Sequence, residues 1–187
     1  MSGEPARRRA TYADIETLPD NVVGEIVDGE LIASPRPAIR HSGVTSRLGI
    51  IMGTPFEFGQ GGPGGWIILD EPELHLGEHV LVPDLAGWRR ERVPELPDEP
   101  AWTIAPDWIC EVLSPSTEAT DRTSKLRIYA NERVGHAWLV DPNLRTLEVF
   151  RLEGSNWLLV GAFEGDRKVR AEPFDAVEID LALLWAR

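Results

Sequence analysis

The chain has 187 residues, 42% of them hydrophobic, with seven tryptophans, a single cysteine and a formal net charge of −12. That is enough apolar material for one domain with a substantial core, and it excludes a disordered chain. The charge favours solubility and disfavours loose binding to nucleic acid, while a lone Cys110, unable to form an intrachain disulfide, points to a reducing cytoplasm.

Met1–Ala10 holds three arginines with no apolar segment behind them. It reads as a flexible basic arm rather than a secretory signal, and no later run reaches the length of a membrane span. Residues 11–187 read as a single domain without repeat or linker. Thr11 caps a short helix, "YADIETL", that ends at Pro19. "VVGEIVDGELIAS" carries two β-rich runs around Asp28-Gly29, a strong hairpin signal. "AIRHSGVTSRLGIIMG" has helical spacing at Ile39, Val44, Leu48 and Ile51, with a stop expected at the following Gly53. Gly59–Gly65 is a loop. "WIIL", "ELHL" and "HVLVPDLAGW" read as strands, and the prolines of 89–106 make that stretch irregular. A strand over Asp107–Leu113 precedes a helix from about Thr120 to Arg133. "HAWLVDP", "TLEVFRL", "WLLVGAF" and "KVRAE" are further strands, and "VEIDLALLW" reads as a closing helix. The pattern is α+β with a mixed sheet.

Three motifs match known chemistry only literally. "HLGEH" (His75–His79) has the His-x-x-Glu-His spacing of a zinc protease, but that chemistry needs both histidines on one helix face. Gly77-Glu78 between alternating residues reads as a hairpin turn instead. "GQGGPG" (Gly59–Gly64) precedes a strand, so it offers no helix N-terminus to a pyrophosphate. Ser114 and Ser116 lack the Gly-x-Ser-x-Gly elbow of a serine hydrolase.

The informative residues are the charged ones in apolar strands. With period two, Ile109, Glu111 and Leu113 share a face, as do Val80, Val82, Asp84 and Ala86. A carboxylate among core residues is costly unless it is paired or binds a cation. Two such acids on neighbouring strands suit a hard divalent cation such as Mg²⁺, which neutralises charge on a scissile phosphate and acidifies water. Asp121, Lys125 and Tyr129 recur every four residues on one helix face, and Lys125 can steady the transition state of such a reaction. Each residue alone has a plainer reading: a turn acid for Asp84, an arginine partner for Glu111, a solvated pair with Asp121 for Lys125, core packing for Tyr129. Pro83, without an N–H, marks a strand end, edge or bulge beside Asp84.

"VPDLAGW", "PDWICEVLSPST", "DRTSKLRIYA" and "HAWLVDP", in this order, resemble the Uma-two family of restriction endonucleases, within the P-D-(D/E)-x-K nuclease superfamily. "EIVDGEL" and His41 at a helix start are similar to that family as well. The resemblance covers roughly residues 11–185. It implies a restriction-endonuclease-like mixed sheet flanked by helices, with additional N-terminal and C-terminal strands. It implies Asp84 and Glu111 as catalytic acids and metal ligands for Mg²⁺ or Mn²⁺, and Glu25 as a further acid at the metal. Leu113 occupies the usual lysine position, and Lys125 on the following helix is the replacement.

The function implied is a Mg²⁺-dependent endonuclease acting on DNA. Given the acidity, DNA binding is expected to be weak and salt-sensitive, through basic clusters at Arg7–Arg9, Arg89-Arg90-Arg92 and along Arg122, Lys125, Arg127 and Arg133. A homodimer or higher homo-oligomer follows by analogy with enzymes that cut both strands. Two other readings share the fold: a non-catalytic interaction or assembly protein, and a metal hydrolase of a small phosphate ester.

Overall fold

The computed structural model describes residues 8–186. Most of the basic arm, residues 1–7, lies outside the described residues. Its described end lies against the domain: Ala10 N–H donates to Gly29 O at 2.7 Å, and Arg8 and Arg9 pair with Asp14 and Glu78, each at 2.5 Å.

Helix α1 (Tyr12–Glu16) starts at Thr11, whose backbone N–H is capped by the Asp14 carboxylate at 2.7 Å. Strands β1 (Val22–Val27) and β2 (Glu30–Pro35) form the expected hairpin. Asp28 and Gly29 take φ of 55° and 80° there, the left-handed pair that matches the twist of the strands. Helix α2 (Ile39–Met52) buries Val44, Leu48 and Met52, while Ile39 is 92% exposed. Gly53 does not stop it. The φ of Gly53 is −62°, and the coil continues through a π-helical turn, Gly53–Glu57, because that buries Pro55 and Phe56.

After the Gly59–Gly65 loop come β3 (Trp66–Asp70), β4 (Leu74–Leu76) and β5 (His79–Leu81), the last two turning at Gly77-Glu78. The "HVLVPDLAGW" stretch is not one strand. It breaks at Val82-Pro83-Asp84, and β6 (Leu85–Arg89) belongs to a different sheet from β5. Pro83 donates no ladder bond, so the chain crosses between sheets there. The face assigned to Val80, Val82, Asp84 and Ala86 therefore does not run through. Strand β7 (Trp108–Val112) leads into α3 (Glu118–Thr120), a π-helical turn (Asp121–Lys125) and α4 (Leu126–Asn131), one unbroken coil. Strands β8 (His136–Asp141), β9 (Thr146–Glu153), β10 (Asn156–Glu164), β11 (Lys168–Val169) and β12 (Ile179–Asp180) precede α5 (Ala182–Trp185). The C-terminal apolar stretch thus divides: Ile179 and Asp180 pair with β11, and only its end coils.

Two main sheets result. The larger runs β10-β9-β8-β7-β6-β3, with β7 and β8 parallel and every other pair antiparallel. A parallel pair needs a crossover of a dozen or more residues, and the α3–α4 coil supplies it. The smaller sheet runs β2-β1-β5-β4. One face of the large sheet packs Trp108, Cys110 and Val112 against Val44, Leu48 and Met52 of α2. Phe174 is at the centre of this layer, its ring 4.7 Å from Trp66, 4.9 Å from Trp108 and 5.6 Å from Trp138 between centroids. Such aromatic pairs add roughly 0.5–1.5 kcal/mol each beyond burial. The other face packs Ile109 and Leu113 against Leu126, Ile128 and Tyr129 and against Val27, Leu74 and Leu81 of the small sheet. This is the expected mixed α+β architecture, sheets flanked by helices. Among the described residues no helix is long and apolar enough to cross a membrane.

Candidate active site

Strand β7 is buried along its whole length, and Glu111 is 2% exposed within it. The strand's alternation turns Glu111 toward α4, on the side of Ile109 and Leu113. There it meets groups that make a buried carboxyl tolerable. Its Oε1 accepts from the Tyr129 hydroxyl at 2.9 Å and from Lys125 Nζ at 3.4 Å. Lys125, 4% exposed, is the hub of this cluster. Its ammonium lies 2.9 Å from Glu25 Oε1 and 3.2 Å from Asp121 Oδ1 as well. The Asp121 contact lies outside hydrogen-bond geometry, and Asp121 Oδ1 has no hydrogen-bond partner among the described residues. The π-helical turn spans Asp121 to Lys125, and such turns often accompany functional side chains.

Asp84 sits at the crossover between sheets, with its main chain one residue short of the ladder. Leu85 is the last β6 residue to pair with β7, opposite Cys110. The Asp84 side chain continues the ladder in its place: Oδ2 accepts from Val112 N–H at 2.7 Å. Its Oδ1 faces His41 Nε2 at 3.3 Å. Glu25, on β1, reaches the same crossover, and its Oε1 accepts from Val82 N–H at 2.8 Å. The break at Pro83 thus leaves two backbone N–H groups, of Val82 and Val112, that carboxylates satisfy.

These side chains open on one cavity of about 330 Å³, lined by Glu25, His41, Asp84, Glu111, Asp121 and Lys125. Arg36, Glu71 and the 114–117 turn complete the mouth, where Ser114 Oγ lies 3.0 Å from both Ser116 Oγ and Thr117 Oγ1.

The electrostatics set proton positions. Burial pushes the Glu111 carboxyl well above the ordinary range; Lys125 opposes this, and Asp121, Asp84 and Glu25 add to it. For Lys125 burial favours the neutral amine, but Glu111, Glu25 and Asp121 outweigh it and hold its pKa well above the usual value. Burial, then Glu111 and Glu25, push the Tyr129 hydroxyl well up. Burial disfavours a charged His41, yet the bond to Asp84 and its charge raise the imidazole above its ordinary value. Burial likewise pushes up the Cys110 thiol, with Asp84 and Glu111 adding to it, so this cysteine is no nucleophile at neutral pH.

All four residues singled out from sequence, Glu25, Asp84, Glu111 and Lys125, line this cavity, and Leu113 is in the core at 3% exposure. Asp121 and Tyr129, on the helix face of Lys125, are both buried members of the cluster, so the pair of Asp121 with Lys125 is not a solvated one. The signal for Asp121 was its four-residue spacing from Lys125. His41 was marked only by its place at a helix start, and Glu71 carried no signal. The basic strip along Arg122, Lys125, Arg127 and Arg133 does not exist as a surface. Lys125 is buried, Arg122 pairs with Glu118 and Glu148, Arg127 pairs with Asp28, and Arg133 donates to Gly154 O. The "HLGEH" histidines lie on the β4–β5 hairpin, His75 against Glu73 and His79 toward Asp28 N–H.

Among the described residues, no group of three or more His, Cys, Asp or Glu side chains stands in metal-ligating geometry. The donors still suit a hard cation. Asp84 and Glu111 offer oxygen to one cavity, where Glu25, Glu111 and Asp121 share the Lys125 ammonium and Asp84 faces His41. Mg²⁺ is commonly held by one or two carboxylates with waters and substrate phosphates rather than by an all-protein cage.

The chain aligns over 94% of its length with 97% of a solved structure from Anabaena variabilis ATCC 29413, described as "a putative nuclease belonging to DUF820". The TM-score is 0.75 at 24% sequence identity, a likeness of fold. No curated protein matches the chain. Residues 10–183 match the family Uma2, described as "Putative restriction endonuclease". With nearly the whole domain matched, the chain is a member of the Uma2 family.

Proposed function

We propose that this protein is a Mg²⁺- or Mn²⁺-dependent endonuclease that hydrolyses phosphodiester bonds in DNA. The observation that carries the reading is the convergence of Asp84, Glu111 and Lys125 on one cavity from a sheet crossover, a buried strand and a helix. Asp84 and Glu111 are the residues that would hold the cation. When bound, it supplies neutralisation of the scissile phosphate and acidification of the attacking water.

The chain's own groups do the rest. Lys125 stays an ammonium, so it accepts no proton; it stabilises charge that builds on the phosphoryl oxygens. Tyr129 keeps its proton and fixes Glu111 Oε1. Val112 N–H and His41 hold the two oxygens of Asp84. Glu25, near the cation site, is assigned chiefly to Lys125, which it holds at 2.9 Å. Cutting both strands of a duplex takes two such sites, hence a homodimer or larger homo-oligomer.

Supercoiled plasmid incubated with purified protein and Mg²⁺ or Mn²⁺ tests this. Nicking is expected, lost with chelator and lost in Asp84→Asn and Glu111→Gln, whose circular dichroism spectra stay unchanged. Undiminished cutting by those two variants would assign the activity to another site or a contaminant. One observation favours a second reading, a non-catalytic interaction protein: three carboxylates already surround Lys125, as in a purely structural ion cluster. That reading predicts no cutting and no cation binding.

A further inference from the structure

On this acidic protein several arginines among the described residues are tied to carboxylates. Arg92 meets Asp107 at 3.1 Å, Arg122 meets Glu148 at 2.6 Å, Arg127 meets Asp28 at 2.6 Å and Arg151 meets Glu172 at 3.0 Å. The stretch that enters and forms α2 is different. Arg36, Arg40 and Arg47 have no carboxylate partner among the described residues. Arg36 donates to Asp20 O at 3.2 Å and Arg47 to Leu184 O at 3.5 Å, both weak neutral contacts. Arg40 is exposed and has no hydrogen bond or ion pair among the described residues. Arg89, Arg133, Arg167 and Arg170 also lack a carboxylate among the described residues, but none of them belongs to the α2 stretch or lines the candidate cavity.

The location matters more than the number. His41 on α2 faces Asp84, so the helix forms one wall of the candidate active site. Arg36 lines that cavity directly. Arg40 and Arg47 line a second groove, of about 440 Å³, with Gly43 and Leu184, and at 3.6 residues per turn they lie roughly a third of a turn round the helix from His41. At 1.5 Å per residue Arg40 and Arg47 are about 10 Å apart along the axis. A guanidinium without an internal partner is a ready donor to a phosphate, often bidentate. A small phosphate ester seated at Asp84 and Glu111 would have no use for cations in a separate groove. A polyanion passing through the cavity would, because the rest of the surface repels it.

We propose that Arg36, Arg40 and Arg47 form a track for the DNA phosphates that flank the scissile one, running from the segment before α2 along the helix and out of the active-site cavity. The nuclease reading fixes only where the scissile phosphate sits; the track itself is a binding property.

Fluorescence anisotropy of a fluorescein-labelled 20-base-pair duplex, with chelator present so that nothing is cut, tests it over a KCl series. Arg40→Ala should lower the slope of log affinity against log salt by about 1, and Arg40→Ala/Arg47→Ala by about 2. Arg127→Ala, which removes the same charge elsewhere, should leave the slope unchanged. Hydrolysis of bis(p-nitrophenyl) phosphate with Mn²⁺ should persist in all three. A wild-type slope in both α2 variants overturns the proposal, as does an equal loss in Arg127→Ala, or no measurable binding by the wild type at low salt. Wild type that binds with the predicted slopes but fails to nick supercoiled plasmid with Mg²⁺ or Mn²⁺ supports the track and sinks the nuclease reading instead.

Discussion

The two faces of β7 are equally buried and built on opposite principles. On one, Trp108, Cys110 and Val112 meet Trp138, Phe174 and α2 in a layer that is apolar throughout its packed side chains. On the other, Ile109 and Leu113 begin the same kind of layer, but Glu111 stands between them with Lys125, Tyr129, Glu25 and Asp121 packed around it. The first arrangement is what a sheet needs to be stable. The second costs stability, since replacing buried ion clusters by apolar groups is often neutral or favourable. Packing alone accounts for the first face and does not account for the charged cluster on the second.

The largest expected effects come from breaking each face at its centre. Phe174→Ala should destabilise by about 3–5 kcal/mol, the cost of deleting a buried aromatic ring. Lys125→Met should cost a similar amount, roughly 3–5 kcal/mol, because it leaves three buried carboxylates without their cation. Divalent metal separates the two. Mn²⁺ should raise the melting temperature of Lys125→Met by more than that of wild type, since it replaces a missing positive charge. Phe174→Ala should respond as wild type does. Equal metal responses in both variants would show that the cluster does not attract cations.

Glu111→Gln sharpens the contrast. Lys125 keeps Glu25 and Asp121, and the amide oxygen can still accept from Tyr129. The apo variant should therefore stay within about 1 kcal/mol of wild type, the scale of a single net hydrogen bond. A loss as large as that of Lys125→Met would make Glu111 a structural partner of the ammonium and nothing more.

A smaller effect is expected at His41, whose folded pKa is raised by Asp84 against the opposing effect of burial. A group with a raised folded pKa stabilises fully below its unfolded value, near 6.5 for histidine, and loses that contribution as pH rises through the folded value. The melting temperature of wild type minus that of His41→Gln should thus be largest below about pH 6.5 and shrink above it. A difference that grows toward alkaline pH would mean that His41 is held neutral.

The sequence showed the strands, the Asp28-Gly29 hairpin and the acids of the cleft, because a carboxylate in an apolar strand breaks an alternation that is otherwise regular. Lys125 was legible through its spacing from Asp121 and Tyr129. What stayed hidden depended on contacts distant along the chain. Pro83 marked a break, but not that β5 and β6 enter different sheets, β5 pairing with β1 and β6 with β7. Gly53 would end an isolated helix, yet burial of Phe56 carries the coil past it. Two of the arginines that looked like a basic strip are neutralised by acids up to 99 residues away, Arg122 by Glu118 and Glu148 and Arg127 by Asp28. His41 could not be linked to Asp84 until α2 was laid beside the crossover.

Isothermal titration of Mn²⁺ into chelator-treated protein, wild type beside Asp84→Asn and Glu111→Gln, is the most direct test of a cation site built by these two acids. Wild type should bind saturably, and each variant should bind more weakly by at least roughly tenfold, about 1.4 kcal/mol. No saturable heat from wild type, or the same affinity in all three proteins, would contradict it.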